Sequence, residues 1–150
     1  MIAYLDSSVL ARSYLADEDG HERAVALMAD PEVAAVTGSW TRVEVSGALV
    51  RAIRAGRGSR DLDVSRLLDL LDSDLGIDGL VTVVTAPQEE VEAEALRIVR
   101  THGLRSMDAW HLAVASLTVP PLTEPGERMA FASRDEGQRA VAEELGFTLV

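Results

Sequence analysis

Four acidic residues in this sequence occupy positions from which a carboxylate could do chemistry. Asp6 and Asp135 each follow a short apolar run typical of a buried strand, and Asp108 lies in the first turn of a predicted helix. Glu44 lies inside a long helical segment among apolar neighbours, where a carboxylate needs a partner. Because sites in open parallel sheets form at the carboxyl ends of strands, we expect these carboxylates to converge at one edge of a sheet.

A simpler explanation exists for each residue taken singly. An aspartate before or in the first turn of a helix commonly caps it or interacts with its dipole. Glu44 alone would be explained as a half-buried carboxylate paired with Arg42 or Arg51. Helix capping accounts for the three aspartates separately, but it does not account for their expected convergence with Glu44.

Carboxylates that converge without a lysine repel one another unless a hard cation binds them. Oxygen ligands of this kind suit Mg²⁺ or Mn²⁺. Such an ion can polarise a phosphoryl oxygen, generate hydroxide from water and stabilise a leaving oxygen. We therefore predict a metal site that supports phosphodiester hydrolysis, with the following metal-binding and catalytic residues: Asp6, Glu44, Asp108 and Asp135.

The composition excludes several other chemistries. The 150 residues include no cysteine, and all 14 basic residues are arginine, which removes thiolate sites, P-loop lysines and Schiff-base lysines. With only six aromatic residues, a base-stacking platform for RNA is not expected. The first residues lack a signal-peptide pattern and no apolar run is long enough to cross a membrane, so we expect a cytoplasmic protein without membrane contact.

The elements that must position these residues alternate between strands and helices along one predicted domain, residues 1–150. This alternation predicts an α/β fold with a mostly parallel sheet and helices on both faces. The predicted strands are Met1–Leu5, Val33–Thr37, Leu80–Thr85, Met129–Ala132 and Phe147–Val150. The predicted helices lie near residues 9–14, 24–29, 40–55, 61–75, 88–102, 107–117 and 135–145.

Four local details of these elements are also predicted. One side of the helix that carries Glu44 is expected to hold Trp40, Val43, Gly47, Val50 and either Ile53 or Arg54. Pro87 is expected as the first residue of its helix, and Ser106 as the cap of the helix that carries Asp108. A proline-rich loop is expected over 118–127.

The four acidic motifs together resemble those of the PIN domain. They are Asp6 in YLDSS, Glu44 in TRVEVSGALVR, Asp108 in SMDAWHLAVA and Asp135 in FASRD, and they occur in the family's order over essentially the whole chain. A small stand-alone PIN domain of this kind is similar to VapC, the ribonuclease toxin of bacterial type II toxin–antitoxin pairs.

This resemblance implies a PIN-like three-layer sandwich around a five-stranded sheet and a metal-dependent endoribonuclease. It implies that Asp6, Glu44 and Asp108 carry the Mg²⁺ or Mn²⁺ site, that Asp135 completes it, and that Ser7 and Ser133 orient ligands or water. The implied partners are an RNA substrate, a VapB-type antitoxin with a basic tail, and a second copy of the chain in a homodimer.

Four arginines recur every three residues from the end of the Glu44 helix: Arg51, Arg54, Arg57 and Arg60. The net charge of −11 disfavours general affinity for nucleic acid. A solvated helix end and a track for RNA phosphates explain this stripe equally well from the residues alone. The resemblance favours RNA.

Two other functions stay open at this point. The acid pocket could belong to a catalytically silent domain that binds a basic partner peptide. A phosphatase of the haloacid-dehalogenase type ranks lower, because Ser8 stands where a second aspartate is needed and lysine is absent. His111, three residues after Asp108, is interpreted as a packed neighbour of the site rather than a base.

Overall fold

The computed structural model describes residues 1–57 and 63–150, and its described strands form a five-stranded sheet in which every pairing is parallel. The strands are β1 (Ile2–Leu5), β2 (Ala34–Gly38), β3 (Thr82–Val84), β4 (Met129–Ala132) and β5 (Thr148–Leu149), in the order β3-β2-β1-β4-β5. The helices are α1 (Ser7–Tyr14), α2 (His21–Ala29), α3 (Trp40–Arg54), α4 (Val64–Asp74), α5 (Gln88–His102), α6 (Ser106–Leu122) and α7 (Glu136–Glu144). The predicted α/β class is confirmed.

Two apolar layers cover the two faces of this sheet. On one face, Tyr4 and Phe131 of the strands pack with Leu112 of α6. On the other, Leu5 packs with Leu49 of α3 and with residues of α1 and α4. Side chains alternate along a strand, so consecutive residues such as Tyr4 and Leu5 enter opposite layers and both faces of the sheet are covered.

The central position of β1 places the first acidic motif next to the fourth. Leu5 of β1 is in register with Ala132 of β4, and the Asp6 N–H donates to the Ala132 carbonyl at 3.0 Å. Both strands therefore end at the same level, and the turns that follow them leave the sheet side by side. This is the sheet edge at which the sequence predicted the carboxylates.

The buried face of α3 differs from the predicted one. Thr41, Val45 and Leu49 face the core, whereas the residues Trp40 and Val43 are 51% and 63% exposed. The apolar pattern does not indicate this face because Thr41 is polar. Its hydroxyl hydrogen-bonds that of Thr37 in β2 at 2.7 Å, which allows a threonine to be buried at this position.

The proline-rich loop predicted over 118–127 is wrong in its first part, because α6 continues to Leu122. Thr118 and Val119 are buried and extend the apolar face of the helix. Pro120 and Pro121 lie in the last, exposed turn, where carbonyls left without N–H partners can reach water. The Thr123 hydroxyl donates to the Val119 carbonyl at 2.8 Å and closes the helix.

Two predicted helix starts are also shifted by one residue. Arg105, not Ser106, is the N-cap of α6, and no side chain among the described residues caps that helix. Pro87 is the N-cap of α5 rather than its first residue.

Within residues 1–57 and 63–150, none of the helices combines the length and the apolar character that a membrane span requires.

Candidate active site

One open cavity contains all four predicted acidic residues. This carboxylate cavity has a volume of about 350 Å³ and is lined by Asp6, Ser7, Ser8, Glu44, Arg105, Asp108, Arg134 and Asp135. Its residues come from the ends of β1 and β4 and from the helices α1, α3 and α6. The structure thus brings together four carboxylates separated by up to 129 positions in the chain.

Two of these carboxylates cap helices and line the cavity at the same time. The Asp6 Oδ2 atom accepts the Ser8 N–H at 3.1 Å at the start of α1. The Asp135 Oδ1 atom accepts the Gln138 N–H at 2.8 Å at the start of α7. Each cap uses one carboxylate oxygen, so the other stays available, and capping and a role in the cavity are compatible.

Asp108 reaches the cavity from the first turn of α6 without being that helix's cap. Its position is fixed by Gln138, a fully buried residue whose Nε2 donates to the Asp108 carbonyl at 3.0 Å. The Gln138 Oε1 atom accepts the Ser133 hydroxyl, and the Ser133 Oγ atom in turn accepts the Asp135 N–H at 3.0 Å. A single buried amide therefore links the segments that carry Asp108 and Asp135.

Glu44 is paired with a histidine and, among the described residues, not with Arg42 or Arg51, the partners in the simpler explanation of this residue. Its Oε2 atom lies 2.6 Å from Nε2 of His111, whereas Arg42 pairs with Asp72 at 3.0 Å. The same His111 nitrogen lies 3.5 Å from Oδ1 of Asp6. His111 therefore sits beneath the cavity and bridges two of its carboxylates.

The three serines near the site have different positions. Ser7 is half-buried and lines the cavity. Ser8 links the segments that follow β1 and β4. Its hydroxyl accepts a hydrogen bond from the Arg134 N–H at 3.3 Å, and its own N–H donates to the Asp6 carboxylate. Ser133 is buried and contacts Gln138 and Asp135, so it orders the chain around the carboxylates.

The electrostatics of the cavity are those of crowded negative charge. Partial burial, together with the charges of Asp135 and Asp6, raises the pKa of Asp108 above its ordinary value. Burial alone would lower the pKa of His111, but the bond to Glu44 and the charge of Asp6 raise it. A cation in this cavity would relieve the repulsion that acts on Asp108.

The donor set fits a hard divalent cation in its chemistry. All four acidic side chains offer oxygen, the ligand atom that Mg²⁺ and Mn²⁺ prefer. In the part of the chain that the structure describes, no three His, Asp or Glu side chains are already grouped tightly enough to form a complete metal site.

A second cavity of about 380 Å³ lies between α1 and α3 and shares Ser8 and Arg134 with the first. This arginine cavity is lined by four arginines: Arg12, Arg51, Arg57 and Arg134. Arg54 is exposed and does not line it, and Arg60 lies outside the described residues. The predicted stripe thus splits, with two of its members in this cavity.

Two of these arginines are already ion-paired in this arrangement. The guanidinium of Arg57 contacts Asp17 at 3.1 Å and Glu18 at 2.7 Å, and that of Arg134 also contacts Glu18, at 3.1 Å. Among the residues described, Arg12 Nε is buried without a hydrogen-bond partner. The Glu18 carboxylate also lines the cavity, so four guanidinium groups against one carboxylate leave it with a net positive charge next to the negatively charged site.

Sequence reasoning missed Gln138 and Tyr4. Gln138 stands three residues after Asp135, a spacing typical of a capping box, but its side chain turns inward to Ser133 instead of back to the cap. Tyr4 stands in an apolar strand, and its hydroxyl lies 2.9 Å from Nδ1 of His111, 107 positions away. No local signal in the sequence indicates either contact.

Comparison with models of known protein families matches residues 3–144 of the chain to the PIN domain. A search among curated proteins returns no match. The family match covers all four acidic positions and every residue of the carboxylate cavity.

Proposed function

Because this chain belongs to the PIN domain family, whose fold is of the nuclease type, we propose that it is an endoribonuclease that requires Mg²⁺ or Mn²⁺ and acts as the toxin of a type II toxin–antitoxin pair. The observation that carries the nuclease proposal is the convergence of Asp6, Glu44, Asp108 and Asp135 on one open cavity. The toxin role rests on the resemblance of the four motifs to VapC.

Each side chain of the cavity has a place in this proposal. Asp6, Asp108 and Asp135 would hold the cation together with Glu44, which reaches the cavity from α3 with 27% of its side chain exposed. Arg105 and Arg134 line the same cavity, and their charges would attract and orient the phosphodiester. The bound cation would supply Lewis acidity to a phosphoryl oxygen and make a water molecule more nucleophilic.

The proposed reaction is hydrolysis without a covalent enzyme intermediate. Water gives up a proton as its oxygen bonds to phosphorus, the bond from phosphorus to the 3′ oxygen breaks, and that oxygen takes up a proton, so that one water molecule is consumed. The products carry 5′-phosphate and 3′-hydroxyl ends. Ser7 and Ser8 are poor nucleophiles here because, among the described residues, neither hydroxyl has a hydrogen bond to a histidine or carboxylate that could act as base.

The proposal is tested by incubating the purified protein with total bacterial RNA in Mg²⁺, in Mn²⁺ and in EDTA. We expect discrete cleavage of a subset of RNAs that depends on the added metal, and fragments whose 5′ ends are directly ligatable. Equal cleavage in excess EDTA would contradict the metal mechanism.

The catalytically silent alternative gives a different result in the same assay. A domain whose carboxylate cavity merely binds a basic peptide would leave RNA intact in every metal condition and would still bind an arginine-rich peptide. The phosphatase alternative gains no support, since Ser8 occupies the first turn of α1 and is used to join β1 to β4.

We propose that the arginine cavity guides RNA toward the carboxylates, with Arg51 and Arg134 as the main phosphate contacts. Arg134 lines both cavities, and Arg51 has no ion pair among the described residues. Replacing both by alanine should weaken RNA binding in EDTA. It should also reduce the magnitude of the negative slope of log affinity against log salt by roughly 1.4, since each lost contact to single-stranded RNA removes about 0.7.

The matched control is Arg100→Ala, which removes an exposed arginine from the last turn of α5, away from both cavities. It should leave the salt slope of RNA binding unchanged. An unchanged slope in the Arg51→Ala, Arg134→Ala variant, measured by fluorescence anisotropy, would assign these arginines to a solvated surface.

We further propose a homodimer and an antitoxin as partners. Trp40 and Val43 leave an exposed apolar strip on α3, which a second copy of the chain would cover. The negative cavity suits a basic segment of an antitoxin, in keeping with the net charge of −11. Light scattering should give twice the chain mass of 16.1 kDa, and a monomer mass would contradict the dimer.

A further inference from the structure

We propose that His111 is a positioning residue that orients the Glu44 carboxylate in the cavity, and that Tyr4 fixes the orientation of the His111 ring. Together these residues form a buried chain of hydrogen bonds, the Tyr4–His111–Glu44 relay, which runs from the centre of the sheet to the cavity. The catalytic consequence rests on the proposed nuclease function.

The distances define the direction of these hydrogen bonds. Nε2 of His111 lies 2.6 Å from Oε2 of Glu44, and Nδ1 lies 2.9 Å from the Tyr4 hydroxyl. A carboxylate only accepts hydrogen bonds, so Nε2 carries a proton and donates a hydrogen bond to Glu44. In the neutral ring Nδ1 then accepts from Tyr4, and in the charged ring it donates to Tyr4, so both forms hold Glu44 in the same way.

The packing around the relay prevents the ring from turning away. His111 is 1% exposed and Tyr4 is fully buried. The Tyr4 ring stacks on Phe131 at 5.4 Å and meets the His111 ring edge-on at 5.9 Å. A Cβ atom at Gly38 would lie 2.7 Å from the Tyr4 hydroxyl, so the absence of a side chain there leaves space for this group.

Glu44 needs such an anchor more than the three aspartates do. Asp6 and Asp135 are held by backbone N–H groups, and Asp108 is held through its own carbonyl by Gln138. Glu44 projects from the second turn of α3 on a longer side chain with one more rotatable bond. Its bond to His111 replaces the backbone contacts that fix the shorter residues.

The burial of the Tyr4 hydroxyl and the His111 ring is difficult to explain by their contribution to stability alone. His111 lies in the buried part of α6, where most of the neighbouring side chains are apolar and need no hydrogen-bond partner. Instead, the buried phenol of Tyr4 hydrogen-bonds the buried imidazole of His111, and the imidazole in turn hydrogen-bonds Glu44 at the cavity. The relay thus holds the partly exposed Glu44 carboxylate in a fixed orientation relative to the sheet.

Two variants of His111 separate positioning from packing. The amide nitrogen of glutamine can approach the position of Nε2 and donate to Glu44, whereas that of asparagine reaches only as far as Nδ1. We expect His111→Asn to lower kcat for RNA cleavage about 10- to 100-fold with little change in KM, and His111→Gln to recover most of that loss. Equal losses in the two folded variants, or wild-type kcat in His111→Asn, would overturn the proposal.

The role of Tyr4 is tested with a matched pair of tyrosine variants. Tyr4→Phe removes the hydroxyl that contacts His111. Tyr14→Phe removes a second largely buried hydroxyl, which lies away from the cavity and donates a hydrogen bond of 2.8 Å to Asp74. Only Tyr4→Phe should lower kcat, by a factor of roughly 3 to 10, in line with the loss of one buried hydrogen bond. Equal kcat in the two variants would show that Tyr4 does not act on the site.

A spectroscopic readout keeps the relay testable if the protein does not cleave RNA. Long-range ¹H–¹⁵N spectra of the imidazole rings should show a protonated Nε2 on His111 in the wild type and a changed ring signal in Glu44→Gln. An unprotonated Nε2, or an unchanged signal in Glu44→Gln, would overturn the relay whatever the nuclease assay shows. Absence of cleavage with a protonated Nε2 would instead reject the proposed function and leave the positioning of Glu44 in place.

Discussion

Substitution of Asp6 or Asp108 by asparagine is expected to reduce RNA cleavage about a thousandfold, since a lost metal ligand removes several kcal/mol of transition-state stabilisation. Asparagine keeps the size and one oxygen of aspartate but loses the charge. At Asp6 this choice also preserves the helix cap, because asparagine caps as well as aspartate does. Loss of activity can then be attributed to the missing charge rather than to a broken helix start.

The chain provides a matched control for this prediction in Asp63→Asn. Asp63 caps α4 in the same way that Asp6 caps α1, by accepting the Ser65 N–H at 2.9 Å, but it does not line the carboxylate cavity. Initial rates of RNA cleavage in Mg²⁺ should therefore match those of the wild type. If Asp6→Asn and Asp63→Asn kept equal activity, the role of Asp6 would be reduced to capping.

The convergence of Asp6 and Asp135 could be predicted because it depends on strand order and direction alone. Alternation of strands and helices implies parallel strands, and parallel strands that neighbour each other end at one edge. The register of Leu5 with Ala132 puts the two strand ends at the same level, and each aspartate follows its strand end within three residues. Local patterns therefore sufficed for this half of the site.

The partners of Glu44 and Asp108 could not be predicted because they depend on how helices pack across the sheet. His111 is 67 positions from Glu44, and the contact exists only once α3 and α6 lie on either side of the ends of β1 and β2. Gln138 reaches the Asp108 carbonyl from a helix 30 positions away. Sequence spacing indicates that a buried carboxylate needs a partner, but it does not indicate which distant side chain supplies one.

The errors in α3 and α6 have different causes. The apolar pattern favours Trp40 for the buried face of α3, whereas Pro120 favours a loop where α6 in fact continues. In the fold, polar Thr41 is buried because its hydroxyl finds a partner, and Pro120 is tolerated because it lies in an exposed last turn. The buried face of α3 therefore depends on a satisfied hydrogen bond, and the end of α6 depends on the access of its last turn to water.

The second large effect is expected from metal binding to the intact cavity. In EDTA, Asp108→Asn should raise the melting temperature by about 2 °C, since relief of screened repulsion contributes roughly 1 kcal/mol or less. The sign follows from the pKa of Asp108, which burial and the charges of Asp135 and Asp6 raise in the folded state. The ionised form is therefore disfavoured by folding, and the penalty applies at neutral pH and disappears as the pH falls through the folded pKa.

Added Mg²⁺ should reverse the order of the two proteins. At a hundredfold excess over its Kd, a bound ion stabilises the wild type by about 2.7 kcal/mol, which corresponds to a rise of roughly 5 to 10 °C for a domain of this size. The Asp108→Asn variant should gain much less, because it has lost both a ligand and the repulsion that the ion relieves. Differential scanning fluorimetry in EDTA and in Mg²⁺ measures both effects. A variant that melts below the wild type in EDTA would mean that Asp108 serves chiefly to stabilise the start of α6. The carboxylates would then lie together because several helices start at this place, and not because they bind a cation.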